Sequence, residues 1–120
     1  MTIQSNHNII TIFLRNKSFS ATRLQYKISY NCITCLLTCY LVSVYNRQEF
    51  TISDIVSLSN MYSSKNVRHY INRLMNCSLI TQAGLNKYKL TDLGLSVIKE
   101  IDNNYNTALF NFCNKYNITL

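Results

Sequence analysis

The spacing of apolar positions changes along the chain between Phe50 and Lys99, and each change predicts an element. Ile52, Ile55, Val56 and Leu58 recur at helical spacing behind Thr51 and Asp54, which form a capping-box pair at a helix start. Ser59–Tyr62 reads as a turn. Ser63 or Ser64 then caps a second helix over Ser63–Met75, where Val67, Tyr70, Ile71 and Leu74 sit at i, i+3, i+4 and i+7 and share one face. The pattern turns strand-like over Leu79–Ala83 and Lys87–Leu90, joined by Gly84, Leu85 and Asn86 as a tight hairpin turn. Thr91, with Asp92 behind it, caps a last helix that runs to about Tyr116.

Upstream of Phe50 the pattern is less decisive. Met1–Gln4 reads as loose, and the apolar run Ile9–Leu14 fits either a strand or a turn of helix. Ser18 and Ser20 offer helix caps. Ala21–Tyr45 reads as helix with an interruption near Ser29–Asn31, and Ile33, Leu36, Leu37, Tyr40, Leu41 and Val44 form a broad face expected to be buried. Asn46–Glu49 is a polar turn. The expected organisation is an N-terminal arm over residues 1–20, one winged-helix domain over 21–116 with its core at 50–94, and a tail over 117–120. The fold class is mainly α with a small β-hairpin wing: a winged helix-turn-helix plus a long terminal helix. That helix carries Ile98, Ile101, Tyr105, Leu109, Phe112 and Tyr116, more apolar surface than the small unit covers, so these residues are expected to form a dimer interface.

Charge adds a partner to this picture. The chain carries a formal net charge of +7 and a pI near 9.3. Arg15, Lys17, Arg23 and Lys27 meet no acid before Tyr45, whereas the segment from Thr91 onward is slightly acidic. A basic front with an acidic tail suits a polyanion. The helix Ser63–Met75 is more specific, because its remaining side chains are Lys65, Asn66, Arg68, His69, Asn72 and Arg73, with no acid among them. A solvent-facing helix usually pairs Glu with Lys. A face of donors alone fits double-stranded DNA: Lys65, Arg68 and Arg73 for phosphates or guanine edges, Asn66, His69 and Asn72 for bases, and Ser63 and Ser64 at a helix start that can take a phosphate. Lys87 and Lys89 are the wing's charges.

The order of these elements resembles winged-helix transcription regulators of the MarR type. The resemblance is carried by Thr51–Val56, Val67–Ile80 and the Leu-Thr-x-x-Gly opening Leu90–Gly94. It implies a dimer held by terminal helices, a helix in each of two major grooves, wings near the flanking minor grooves, and a small-molecule effector whose identity no residue set here gives. PadR-like and phage-encoded winged-helix regulators are similar too. The chain departs from the MarR pattern at Ser78, where many members have glycine, in its short wing without an Asp-x-Arg-rich tip, and in a turn after Leu58 longer by about one residue.

Other chemistries find little support. Cys32, Cys35 and Cys39 share a helical face, but zinc needs four ligands and none of Cys77, Cys113, His7 or His69 stands at ligand spacing, so core packing is the expected role. No catalytic Ser/His/Asp set, carboxylate pair or phosphate-loop glycines occur, so neither an enzyme nor a cofactor is expected. The apolar run Cys32–Val44 is shorter than the roughly 18–20 residues of a membrane span. The expectation is a cytoplasmic, dimeric, sequence-specific DNA-binding regulator that acts as a repressor. Its alternatives are a winged-helix module that binds protein, or a plasmid or phage accessory protein that binds DNA.

Overall fold

The computed structural model describes residues 3–46, 48–59 and 63–119. Its elements follow in the order α1 (Ile3–Tyr26), α2 (Tyr30–Tyr45), α3 (Ile52–Ser59), α4 (Ser64–Asn76), β1 (Ile80–Gly84), β2 (Lys87–Leu90) and α5 (Asp92–Tyr116). The last four helices each start on a hydroxyl that satisfies an orphan amide of the first turn. Ser29 Oγ accepts from Cys32 N–H, Ser63 Oγ from Asn66 N–H and Thr91 Oγ1 from Gly94 N–H. At α3 the capping box closes in both directions: Thr51 N–H donates to Asp54 Oδ2 at 2.9 Å, and Asp54 N–H donates to Thr51 Oγ1 at 3.1 Å. The expected turn Ser59–Tyr62 lies mostly at residues 60–62, outside the described residues, as do Met1, Thr2, Arg47 and Leu120.

The N-terminal segment differs from the sequence reading. Ile3–Tyr26 is one helix, so the expected boundary between an arm and a domain at residue 20 falls inside it. Ser18 and Ser20 are not caps; their hydroxyls bond back to the carbonyls of Arg15 and Asn16 in the same helix. Leu14, Ser18 and Thr22 recur every four residues and are all buried, with Phe19 beside them. Two hydroxyl residues on the buried face hide its apolar period. The helix ends at Lys27, whose φ of 53° turns the chain into the buried Ile28 and the cap Ser29.

The central helix α2 packs against α1, α3, α4, α5 and β2. Its buried face is the cysteine side, with Cys32, Ile33, Cys35, Leu36, Cys39 and Val42, while Tyr40, Leu41 and Val44 are exposed. The expected face was therefore turned part-way round the helix. A helix apolar on nearly all sides does not declare by period alone which side is inside.

The hairpin pairs Ile80 with Leu90, Thr81 with Lys89 and Gln82 with Tyr88, then slips by a bulge before Gly84. Asn86, with φ 58°, makes the tight turn; Gly84 keeps a negative φ. Phe50 adds a one-residue third strand through two bonds with Tyr88, of 2.9 and 2.8 Å. That strand has no pattern of its own and was not expected.

Helix α4 ends in a Schellman motif. Ser78 N–H donates to Met75 O at 2.9 Å and Leu79 N–H to Leu74 O at 3.0 Å, with Ser78 left-handed at φ 62°. The Leu79 carbonyl then accepts from Thr91 N–H at 3.1 Å and lies under Gly94, where a Cβ would stand 2.1 Å from its oxygen. The glycine of the Leu-Thr-x-x-Gly opening is thus required by a backbone contact.

Two substitutions test this junction in thermal or denaturant unfolding. Gly94→Ala should destabilise by about 2–3 kcal/mol, since the neighbour is backbone and cannot move aside cheaply. Ser78→Gly should stabilise by about 1 kcal/mol by removing a left-handed side chain. An unchanged midpoint in Gly94→Ala would contradict the close approach.

Candidate nucleic-acid interface

The apolar side of α4 is set by Val67, Ile71 and Leu74, all fully buried. The rest of the helix is thereby turned outward, and Ser64, Lys65, Asn66, Arg68, His69 and Asn72 are exposed as a continuous polar surface without an acid. Ser63 is exposed as well, but its oxygen is engaged as the cap of the first turn, 3.2 Å from Asn66 N. Arg73 is exposed too, but its Nη2 donates to the carbonyl of Lys27 at 2.7 Å, so one arm of its guanidinium is engaged by the chain itself.

Arg68 also lines a groove of about 380 Å³ between α3, the start of α4 and the wing turn. Ser53, Ser57, Ser64 and Asn86 share it. Ser53 and Ser57 stand four apart on α3 and bring two hydroxyls to the same edge as the α4 N-terminus, where backbone amides favour an anion. These serines and Asn86 were not among the expected contacts; the i, i+4 hydroxyl spacing was the available signal. In the wing, Lys89 is exposed and Lys87 pairs loosely with Glu49 at 3.9 Å. Both partners of that pair are solvent-exposed, so it contributes little.

Of the residues expected at a dimer interface, Ile98 and Ile101 belong to the protomer's own core; Ile101 is 4% exposed. Both face inward because α1 and α2 supply the partners that the sequence left open. Tyr105, Leu109 and Phe112 are half-buried and Tyr116 is 57% exposed. The exposed apolar surface instead joins two helices. Ile9, Ile12 and Phe13 of α1 are exposed there, and the surface continues onto α5, where the Phe13 and Phe112 rings meet at 6.2 Å and Phe112 meets the exposed Tyr116 at 5.0 Å; Phe110, two residues from Phe112, is exposed on the other side of α5. The molecule is drawn out to 51 × 27 × 25 Å.

Helices α1, α2 and α5 also enclose a cleft of about 720 Å³. Its wall is largely apolar, with Thr11, Arg15, Ser18, Tyr40, Lys99, Asp102 and Tyr105 among its polar groups. It can hold a small amphipathic molecule.

The cysteines pack as hydrophobes. Cys32, Cys35 and Cys39 are buried, and among the described residues no group of His, Cys, Asp and Glu is arranged to hold a metal. Burial, reinforced by Cys35 and Cys77, pushes the Cys32 thiol from near 9 up to about 12. Arg73 pulls the other way, but its influence is the smallest. Burial raises Cys39 too, together with its bond to Cys35. Such thiols are poor nucleophiles at neutral pH. Among the described residues no single helix is long and apolar enough to cross a membrane.

No family model and no curated protein matches the chain. Solved structures do. Sco5413, a MarR family transcriptional regulator from Streptomyces coelicolor, superposes with a TM-score of 0.61 at 17% identity, over 92% of this chain and 80% of that one. A protein of Pseudomonas aeruginosa PA01 described as a candidate transcriptional regulator superposes with a TM-score of 0.60 at 14% identity, over 94% and 82%. The chain has the MarR-type winged-helix fold. At these identities the likeness is one of backbone architecture. In the order of elements α4 follows α3 and precedes the hairpin, and α1 and α5 lie outside that unit.

The thiol environment makes a prediction about pH. Native Cys32 keeps its proton to about 12, while in the unfolded chain it ionises near 9. The native state therefore binds more protons above pH 9, and stability falls as pH rises through that window. Melting temperature measured from pH 9 upward should fall less steeply in Cys32→Ala than in the wild type. At neutral pH an alkylating reagent should modify Cys77 and Cys113, both half-buried, well before Cys32, Cys35 and Cys39. Early labelling of the latter three would refute their sealed environment.

Proposed function

We propose that the protein is a dimeric, sequence-specific DNA-binding transcription regulator that reads the major groove with α4 and represses by occluding a promoter. The observation that carries this reading is the outward face of α4: exposed Lys65, Asn66, Arg68, His69 and Asn72, no acid, on the element that enters the groove in helix-turn-helix proteins. Lysine and arginine there neutralise phosphates, and the amides match adenine N6 and N7. The groove at Ser53, Ser57, Ser64 and Arg68 suits a backbone phosphate beside the bases. With a short wing bearing Lys87 and Lys89, minor-groove contacts are few.

The dimer in this reading forms through the exposed apolar residues of α1 and α5. Two-fold symmetry then sets a pseudo-palindromic site with half-sites roughly 10 base pairs apart or a multiple of it. The cleft between α1, α2 and α5 is the place for a small-molecule effector, and the working compartment is the cytoplasm, where DNA and reduced thiols coexist.

Binding to random duplex DNA should weaken steeply with salt, and Arg68→Ala should lower the slope of log affinity against log salt by about 0.9, the loss of one phosphate contact. Absence of any binding at low salt would sink the DNA reading and favour a protein partner. Selection from a random duplex pool should return a palindrome. In sedimentation, Tyr116→Asp or Phe13→Asp should convert dimer to monomer while the circular dichroism spectrum stays helical. A dimer that survives both substitutions would move the interface elsewhere.

A further inference from the structure

The C-terminal half of α4 is fastened to the rest of the chain by contacts that DNA reading does not use. Arg73 Nη2 donates to Lys27 O at 2.7 Å. Cys77 Sγ reaches Tyr26 O and Cys32 Sγ reaches Tyr70 O, each at 3.8 Å. All three tie α4 to the elbow between α1 and α2, where the helix axes turn through 102°. Tyr26 and Lys27 close α1, and carbonyls at a helix end lack intrahelical partners. A guanidinium there meets both an orphan acceptor and the negative end of the helix dipole, in a charge-assisted bond stronger than a neutral one. On its other side the same end of α4 is held to α5, through Thr91 Oγ1 donating to Ser78 O at 2.6 Å and Thr91 N–H to Leu79 O. The two helices that bear the exposed apolar surface thus both lock onto one end of the proposed recognition helix.

We propose that Arg73 is a positioning residue: by closing the end of α1 it sets the angle between α4 and the dimer helices, and with it the half-site spacing that the dimer accepts. This rests on the DNA-binding reading above. In a two-fold dimer the separation of the two recognition helices is set by the rigid connections between them. A small rotation at the elbow is carried along a molecule 51 Å long, so a loosened elbow shows first as relaxed spacing. The competing role for Arg73 is a direct phosphate contact. The two roles differ in their salt signature, because only a lost phosphate contact releases fewer counterions.

The test compares wild type, Arg68→Ala and Arg73→Ala as full-length chains on random duplex DNA across a salt series, then in selection from one random duplex pool. Arg73→Ala is expected to keep the wild-type salt slope on random duplex, to bind the wild type's selected duplex about tenfold more weakly, and to enrich half-sites at several spacings where wild type enriches one. A slope lowered by about 0.9, as for Arg68→Ala, overturns the proposal in favour of a phosphate contact. A single wild-type spacing with unchanged affinity overturns it as well. If Arg73→Ala is unfolded at the assay temperature by circular dichroism, Arg73→Lys decides. Lysine keeps the charge that a phosphate needs but replaces the planar fork with a single ammonium, so spread spacings support positioning and one spacing refutes it. If wild type binds no DNA at any salt, the DNA reading fails and this role fails with it. A wild type that binds while Arg73→Ala matches it throughout removes this role alone.

Discussion

The carbonyl oxygen of Leu79 is where the winged unit and the long terminal helix are joined. It accepts from Thr91 N–H and sits beneath Gly94 at a distance no Cβ could share. One residue earlier, the Ser78 carbonyl takes the Thr91 hydroxyl, whose oxygen also caps α5 by accepting from Gly94. The Schellman motif that ends α4 presents these two carbonyls in the required direction. A single short run, Leu74–Leu79, therefore ends one helix, starts the hairpin and seats the next helix. The side chains of Leu74 and Leu79 are both fully buried and tie the motif to the core. The elbow between α1 and α2 is held from the same helix end, so three helices share one anchorage.

That anchorage has an electrostatic counterpart. Apolar residues turn one side of α4 entirely inward, leaving donors and no acid outside, and the only acid paired with a wing charge is Glu49 on Lys87 among the described residues. A surface so one-sided is costly to leave without counter-charge, and a polyanion supplies it. The cysteines, by contrast, serve the interior. Burial raises the thiols of Cys32 and Cys39 far enough that they act as small apolar groups in α2.

Much of this architecture is legible from residue order. The caps Thr51 and Thr91, the box closed by Asp54, the hairpin between Ile80 and Leu90 and the apolar stripe of α4 all depend on neighbours within a few residues. Local hydrogen bonds and helical period are enough to place them. The start of the chain was harder, because Ser18 and Thr22 occupy buried positions on the helix and the Ser18 hydroxyl bonds back inside it. Phe50 as a strand was invisible, since one residue has no period and its partner Tyr88 lies far along the chain.

The sequence by itself determined where the helices after residue 50 and the hairpin begin and end, which side of α4 is apolar, and that its other side is basic. These follow from contacts at short separation and from charge, which folding does not change. Tertiary structure alone decided which side of α2 is buried, that Ile98 and Ile101 serve the protomer's own core, and that one arm of Arg73 is engaged by Lys27. Each of those outcomes depends on which distant segment arrives as the neighbour. A helix apolar on several sides, or an arginine able to reach either solvent or a helix end, takes its role from that neighbour.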